Sequence, residues 1–249
     1  MSEPKIRRGK IRRAQKIILY GPEGIGKSTL AAQFPEPLFV DTEGSTAHLD
    51  IARFETMANY NDILEAIRYV GENPSICQTL VVDTMDWAEQ MIAAYILKQY
   101  SWESIEAPGY GKGYTVLAEE VQTFLSWLTR LTELDINVVL TAHATMRKFE
   151  QPGGEGAYDR WELKLQKKVA PLVKEWADAM LFLNYETFIS NKDKNGKGKV
   201  TGGERMLYAN HRPTFDAKNR WGLGENLAFS YDTIAEHIYT REKIEKESK

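Results

Sequence analysis

A single cysteine, Cys77, stands among the 249 residues. It excludes an internal disulfide and any cysteine-built metal cluster, and it suits a reducing cell interior. Lying beside an apolar run, Cys77 reads as a small buried hydrophobe. No apolar run approaches the roughly 18 residues that a membrane-crossing helix needs. Basic residues at the start have no apolar segment behind them, so no secretory leader is read and no membrane partner is expected. Net charge is also small, at −3. Any binding of nucleic acid must therefore come from local patches rather than from the whole molecule. With 43% hydrophobic and 27% charged residues, the composition is that of a globular chain, long enough for one large α/β domain with appendages.

Against this unmarked background one stretch stands out, Lys16 to Thr29, KIILYGPEGIGKST. A short run of β-formers enters Gly21-x-x-x-x-Gly26-Lys27-Ser28, the P-loop pattern. Gly21, Gly24 and Gly26 permit the positive φ angles and close backbone approach that a phosphate cradle requires. Pro22, Glu23, Ile25 and Thr29 complete the turn and the start of its helix. Lys27 would reach the β- and γ-phosphates of a nucleotide, and the Ser28 hydroxyl would ligate Mg²⁺.

The rest of the chain alternates strands and helices. Pro37–Asp41 reads as a second strand, followed by Thr42-Glu43-Gly44. In an open parallel sheet ligands gather beyond the carboxyl ends of strands, which places Asp41 and Glu43 near the phosphates. One of these carboxylates could polarise an attacking water; Glu43 is equally readable as a turn residue. A helix over 61–70, capped by Asn59 or Asn61, leads to Thr79-Leu-Val-Val-Asp83, the Walker B pattern, with Asp83 directed at Mg²⁺. Asp86 is either a second site carboxylate or a helix-capping residue. Helices are expected over 85–100, with Trp87, Met91, Ile92, Tyr95 and Ile96 on its apolar face, and over 115–133, with a core stripe from Leu117 to Leu131. Asp135–Thr141 reads as a further buried strand ending at His143, which is either a γ-phosphate sensor or a structural histidine.

Beyond it, 144–160 reads as a glycine-rich loop carrying Arg147, Lys148 and Phe149. Cations and rings so mixed suit single-stranded nucleic acid, where charge holds the backbone and rings stack on bases; an ordinary mobile loop is the alternative. A helix over 167–177 and a strand over 178–183 follow. A β-hairpin is expected at Glu186–Thr201, then a separate strand at Arg205–Ala209 and a charged helix over 232–248. Residues 1–15 form a basic arm, either a solvated tail or a contact to nucleic acid through Arg12 and Arg13.

In this order GPEGIGKST, FVDTEGS, TLVVDT, NVVLTAHA and the late Ala217-Lys218-Asn219-Arg220 resemble the RecA-like core of the P-loop ATPases, over about residues 14–230. The resemblance implies a mostly parallel α/β sheet flanked by helices, spanning 16–231, with a C-terminal β-hairpin extension and a charged tail over 232–249. It implies ATP and Mg²⁺ as ligands and Glu43 as the residue that activates water. Lys218 and Arg220 would reach the γ-phosphate of a neighbouring subunit, so a homo-oligomer, ring or filament, would hold ATP at its interfaces. The 144–160 loop would match the second DNA-binding loop of the family, and 101–114 lies where the first would be. The chain does not display the helical N-terminal assembly module or the C-terminal domain of bacterial RecA. It is similar instead to compact phage-encoded ATP-binding single-strand annealing proteins, which implies single-stranded DNA as partner, a single-strand-binding protein as a possible second, and the interior of a bacterial or phage-infected cell as location. Two other uses of the same cradle stay open. A small-molecule kinase would need a lid of convergent arginines, which the sequence does not display. A nucleotide-gated scaffold with little hydrolysis is the other, and Glu43 argues against it.

Overall fold

A computed structural model describes residues 6, 8–9, 11–55, 57–150, 156–190, 199–238 and 240. Strands β1 (Lys16–Gly21), β2 (Pro37–Asp41), β3 (Ala52–Arg53), β4 (Thr79–Asp83), β5 (Asn137–Glu150) and β7 (Ala179–Ser190) lie parallel in the order β7-β1-β5-β4-β2-β3. The sheet is extended antiparallel by β8 (Lys199–Tyr208) and then β10 (Asn226–Ala228). Strand β6 (Ala157–Leu163) pairs with the outer half of β5, and β9 (Lys218–Asn219) with the start of β7. The expected RecA-like P-loop architecture is the observed one.

Burial on both faces explains the near-continuous apolar runs. Successive side chains of a strand point to opposite sides. Ile18, Tyr20, Leu80, Val82, Val138 and Leu140 thus join one core, while Ile17, Leu19, Val81 and Val139 join the other. The first core is covered by α2 (Tyr60–Glu72), α3 (Met85–Tyr100), α4 (Lys112–Thr132) and α5 (Val169–Trp176). The Leu117-to-Leu131 stripe of α4 is buried there, as its spacing predicts. Asn59 caps α2 reciprocally with Asp62. On α3 the inward residues are Met85, Asp86, Ala88, Ile92 and Ile96. Trp87 is turned outward instead, because the inward stripe runs through 85, 88, 92 and 96 and leaves position 87 off that face.

Among the described residues the second face is covered by α1 (Lys27–Ala31), by Trp221 and Leu223 ahead of β10 and by the segment after it. Here the helix expected over 232–248 is replaced, among the described residues, by two 3-10 turns at Tyr231–Thr233 and Ala235–His237. Ile234 and Ile238 are fully buried against the sheet, so tertiary packing sets the backbone of this segment. Residues 241–249 lie outside the described residues.

Two further expectations are revised. The strand expected at 205–209 is the second half of β8, continuous with Lys199–Thr201 across Gly202 and Gly203; a register shift opposite Tyr185–Thr187 absorbs the irregularity that those glycines suggest. The hairpin's turn, 191–198, lies outside the described residues. The glycine-rich loop at 144–160 is a β-hairpin in its described part, with Ala144 to Glu150 paired to Leu163 to Ala157; its tip, 151–155, is not described. Cross-strand pairing accounts for the difference, since the glycines are confined to the tip.

Candidate nucleotide site

Strand β1 ends at Gly21, paired with His143 of β5. Gly21 is packed so closely on β7 that a Cβ there would come 2.2 Å from the Leu183 carbonyl oxygen. Gly26, with φ of 103°, is the N-cap of α1. No side chain caps this helix, which leaves its first N–H groups for an anion. The Lys27 ammonium is buried and donates to the Gly21 and Pro22 carbonyls at 3.3 and 3.0 Å. Burial lowers its pKa, opposed by the carboxylates of Asp83, Asp86, Glu43 and Glu23. The Glu23 side chain is largely exposed and lies 4.0 Å from Lys164.

Asp83 closes β4 and is fully buried. Its Oδ1 accepts from the Thr141 hydroxyl, and Ser28 lies close enough to lower its pKa, yet burial dominates and raises it. Asp83 Oδ2 is buried with no hydrogen-bond partner of its own. Buried polar atoms are nearly always satisfied, so this oxygen fits a ligand with a charge or water of its own. Among the described residues no three His, Cys, Asp or Glu side chains converge on one point. The donor set therefore fits Mg²⁺, which keeps several waters and takes one or two protein oxygens plus phosphate, and it fits no caged metal.

The two carboxylates after β2 separate in role. Asp41 accepts from the N–H groups of Gly44 at 2.7 Å and Thr46 at 3.0 Å, and from the Thr46 hydroxyl at 2.6 Å. Burial works against its charge, but these donors outweigh it and hold the carboxyl below the usual range. Asp41 is thereby committed to shaping the turn that carries Glu43. Glu43 is half-buried, and its pKa is raised, by burial first and then by Asp83 and Asp86, against the pull of His143 and Lys27. A carboxylate so raised, within electrostatic reach of the P-loop lysine, is more basic than an ordinary glutamate.

His143 is held by Asp86 at two points. Its backbone N–H donates to Oδ1 at 2.9 Å, and its ring Nδ1 lies 2.9 Å from Oδ2. An ionised carboxylate only accepts, so Nδ1 carries the proton and Nε2 is turned outward from the pair. Burial would raise the Asp86 pKa; the His143 contacts overcome it and lower it. Asp86 is thus neither a free site carboxylate nor a simple cap. Lys164 N–H donates to the His143 carbonyl at 2.9 Å, which ties the base of the β5–β6 hairpin to the same strand end.

Arg205 was not singled out by the sequence. Its guanidinium donates to the Ile25 carbonyl at 3.4 Å and lies over the Phe229 ring at 4.5 Å, on the outer side of the P-loop. No motif marks it, because β8 is far away in sequence.

The remaining candidates fall elsewhere. Arg147 donates to the Leu165 carbonyl at 3.0 Å and Phe149 packs on Tyr158 at 5.5 Å, whereas Lys148 lies on the opposite, exposed face. Alternation along a strand splits this trio between two sides of the hairpin. Lys218, Arg220, Arg12 and Arg13 gather at the other end of the sheet, around the start of β1 and β7. Arg13 and Arg220 each donate to Asp178 Oδ1 at 3.1 Å. None of the four touches the P-loop of its own chain.

A parallel sheet with a glycine turn after its central strand, a buried acid one strand beyond its neighbour and helices on both faces defines a RecA-like P-loop NTPase. The profile of the AAA domain family AAA_24 matches residues 13–221, and the chain belongs to that family. Among solved structures, the flagellar accessory protein FlaH from Methanocaldococcus jannaschii is similar at 14% identity and a TM-score of 0.43, over 88% of this chain and 85% of that one. No curated protein matches significantly. Among the described residues no helix is long and apolar enough to cross a membrane.

Proposed function

We propose that the protein is an ATPase that assembles on single-stranded DNA and promotes recombination or strand annealing. The observation that carries the reading is the site itself: the buried Lys27 ammonium, the unpartnered Asp83 oxygen and the raised Glu43 carboxyl surround one glycine turn. Ser28 and Asp83 would hold Mg²⁺, which when bound draws charge from the β- and γ-phosphate oxygens. Lys27 would hold the same phosphate oxygens with its ammonium. Glu43 takes a proton from the water whose oxygen bonds to the γ-phosphorus, as the bond from that phosphorus to the β,γ-bridging oxygen breaks to give ADP and phosphate. His143, fixed by Asp86, sits at the strand end where it can sense whether the γ-phosphate is present. Lys218 and Arg220 are too far from their own P-loop to act there. In this reading they complete the site of an adjoining subunit, so that turnover requires assembly. DNA would contact the β5–β6 hairpin, whose base is bonded to His143 through Lys164.

The test is ATP hydrolysis with and without single-stranded DNA. Stimulation by DNA is expected, with Lys27→Ala losing nucleotide binding altogether. Turnover that ignores DNA but needs a small-molecule acceptor would overturn the reading in favour of a kinase. Tight nucleotide binding with no turnover under either condition would leave only a nucleotide-gated scaffold.

A further inference from the structure

At the end of the sheet away from the P-loop, a cleft of about 610 Å³ is lined by Arg12, Arg13, Asp178, Arg220 and Trp221. Its centre is Asp178, whose side chain is only 5% exposed. Oδ2 accepts the Lys16 backbone N–H at 3.1 Å, and Oδ1 accepts from both Arg13 and Arg220, each at 3.1 Å. One carboxylate therefore anchors two guanidinium groups, each about half exposed, at 54% and 55%. Only one nitrogen of each guanidinium is used in the contact to Asp178, and a guanidinium has five N–H donors. Lys16 and Lys218 add two further cations beside them, and both have lowered pKa values, chiefly from burial and further from the neighbouring arginines. Glu236 also lines the cleft, but Arg12, Arg13 and Arg220 outnumber it and Asp178, and that balance favours an incoming anion.

Lys218 is already engaged within its own chain. Its ammonium donates to the carbonyls of Lys174 and Glu175 at 2.9 and 2.8 Å, in the last turn of α5, and so serves as that helix's C-terminal cap. Arg13 has no such commitment among its contacts, and it shares its anchor with Arg220.

We propose that Arg13 is a further catalytic residue acting in trans: together with Arg220 it grips the terminal phosphate of the nucleotide held by an adjoining copy of this chain, with Asp178 as the positioning residue that sets the two forks side by side. This inference rests on the assembled ATPase reading and adds to it a member that lies outside the late Lys218-Asn219-Arg220 element. It also moves Arg13 away from DNA, since the β5–β6 hairpin projects from the opposite end of the sheet.

The experiment is subunit mixing. Arg13→Ala is expected to bind nucleotide within about twofold of the parent and to lose roughly 10²-fold in turnover, the usual effect of removing one charge-stabilising donor. Glu43→Gln subunits bind nucleotide and do not turn over, but they carry an intact Arg13. Mixing the two should restore hydrolysis in Arg13→Ala subunits that have a Glu43→Gln neighbour, a rescue that a structural role for Arg13 would not give. Arg220→Ala mixed with Glu43→Gln is the reference. Rescue of Arg220→Ala without rescue of Arg13→Ala overturns this inference and leaves the assembled ATPase standing. Failure of both pairs removes the trans reading itself. Unchanged DNA-free turnover in Arg13→Ala, with weaker binding of single-stranded DNA, would return Arg13 to nucleic acid and also overturn the inference. Should Arg13→Ala not fold, Arg13→Lys, which keeps a charge beside Asp178 but loses the forked donors, runs the same mixing.

Discussion

Asp41 and Glu43 stand two residues apart after the same strand, and hydrogen bonding alone sets them to different work. Asp41 is saturated by the turn's own N–H groups and the Thr46 hydroxyl, whereas Glu43 remains a half-buried carboxylate with a raised pKa. Glu43→Gln should leave nucleotide affinity in place and lower kcat by about 10²- to 10⁴-fold, the range for loss of a general base; equilibrium binding and steady-state hydrolysis separate the two effects. The raised pKa also fixes the sign of the pH dependence. Because Glu43 takes up its proton above the ordinary glutamate range, the acid limb of kcat should fall at a higher pH than an unperturbed glutamate would give. An acid limb at or below that range would remove Glu43 as the base. The sequence displayed the residues that recur in motifs, because a glycine turn, a lysine and a strand-end acid have fixed spacing. It did not display the Asp86–His143 clamp or the Arg205 contact to Ile25. Both join positions 57 and 180 residues apart, and neither partner's type or spacing is unusual.

Helix α3 connects the site to what lies beyond it. Asp86 on its first turn grips His143, and Glu89, one turn on, accepts the Gln166 N–H at 2.9 and 3.2 Å at the corner leading to α5. Burial is the main cause of the rise of the Glu89 pKa from 4.5 to about 7, with Asp86 adding to it. A carboxyl raised in the folded state costs nothing while protonated in both states. The cost grows as pH climbs from the ordinary value of 4.5 toward about 7 and is complete above that. Glu89→Gln keeps the acceptor for Gln166 and removes the buried charge. It should therefore stabilise the protein by roughly 1–3 kcal/mol above about pH 8 and have almost no effect near pH 4, measured by denaturant unfolding at both values. Equal effects at the two pH values would show that its charge is not the cause. At this scale helix periodicity and apolar strand runs were legible, while the β5–β6 hairpin was not. Its alternation begins within a strand that is buried on both faces for seven residues, and its glycines mask the pairing beyond.

For the molecule as a whole, the decisive fact is the separation of the two cationic sets. Lys27 follows the carboxyl end of β1, and Arg13, Lys218 and Arg220 surround its amino end, so the six residues of the strand, roughly 20 Å at a strand's rise, stand between them. No side chain bridges that distance within one chain. If the far set acts on phosphate at all, it acts on another copy's phosphate, and hydrolysis per subunit must then depend on how many subunits are assembled. Specific activity should rise with protein concentration and level off at full assembly, and dilution should reverse it. Arg220→Ala should bind ATP normally and lose about 10³-fold or more in turnover at every concentration, the loss expected of a trans-acting arginine. A specific activity constant from dilute to concentrated protein, in a chain that stays monomeric with ATP and Mg²⁺, would mean that one subunit completes its own site. Arg205, a cation that donates to the P-loop's Ile25 carbonyl, would then be the group to substitute next.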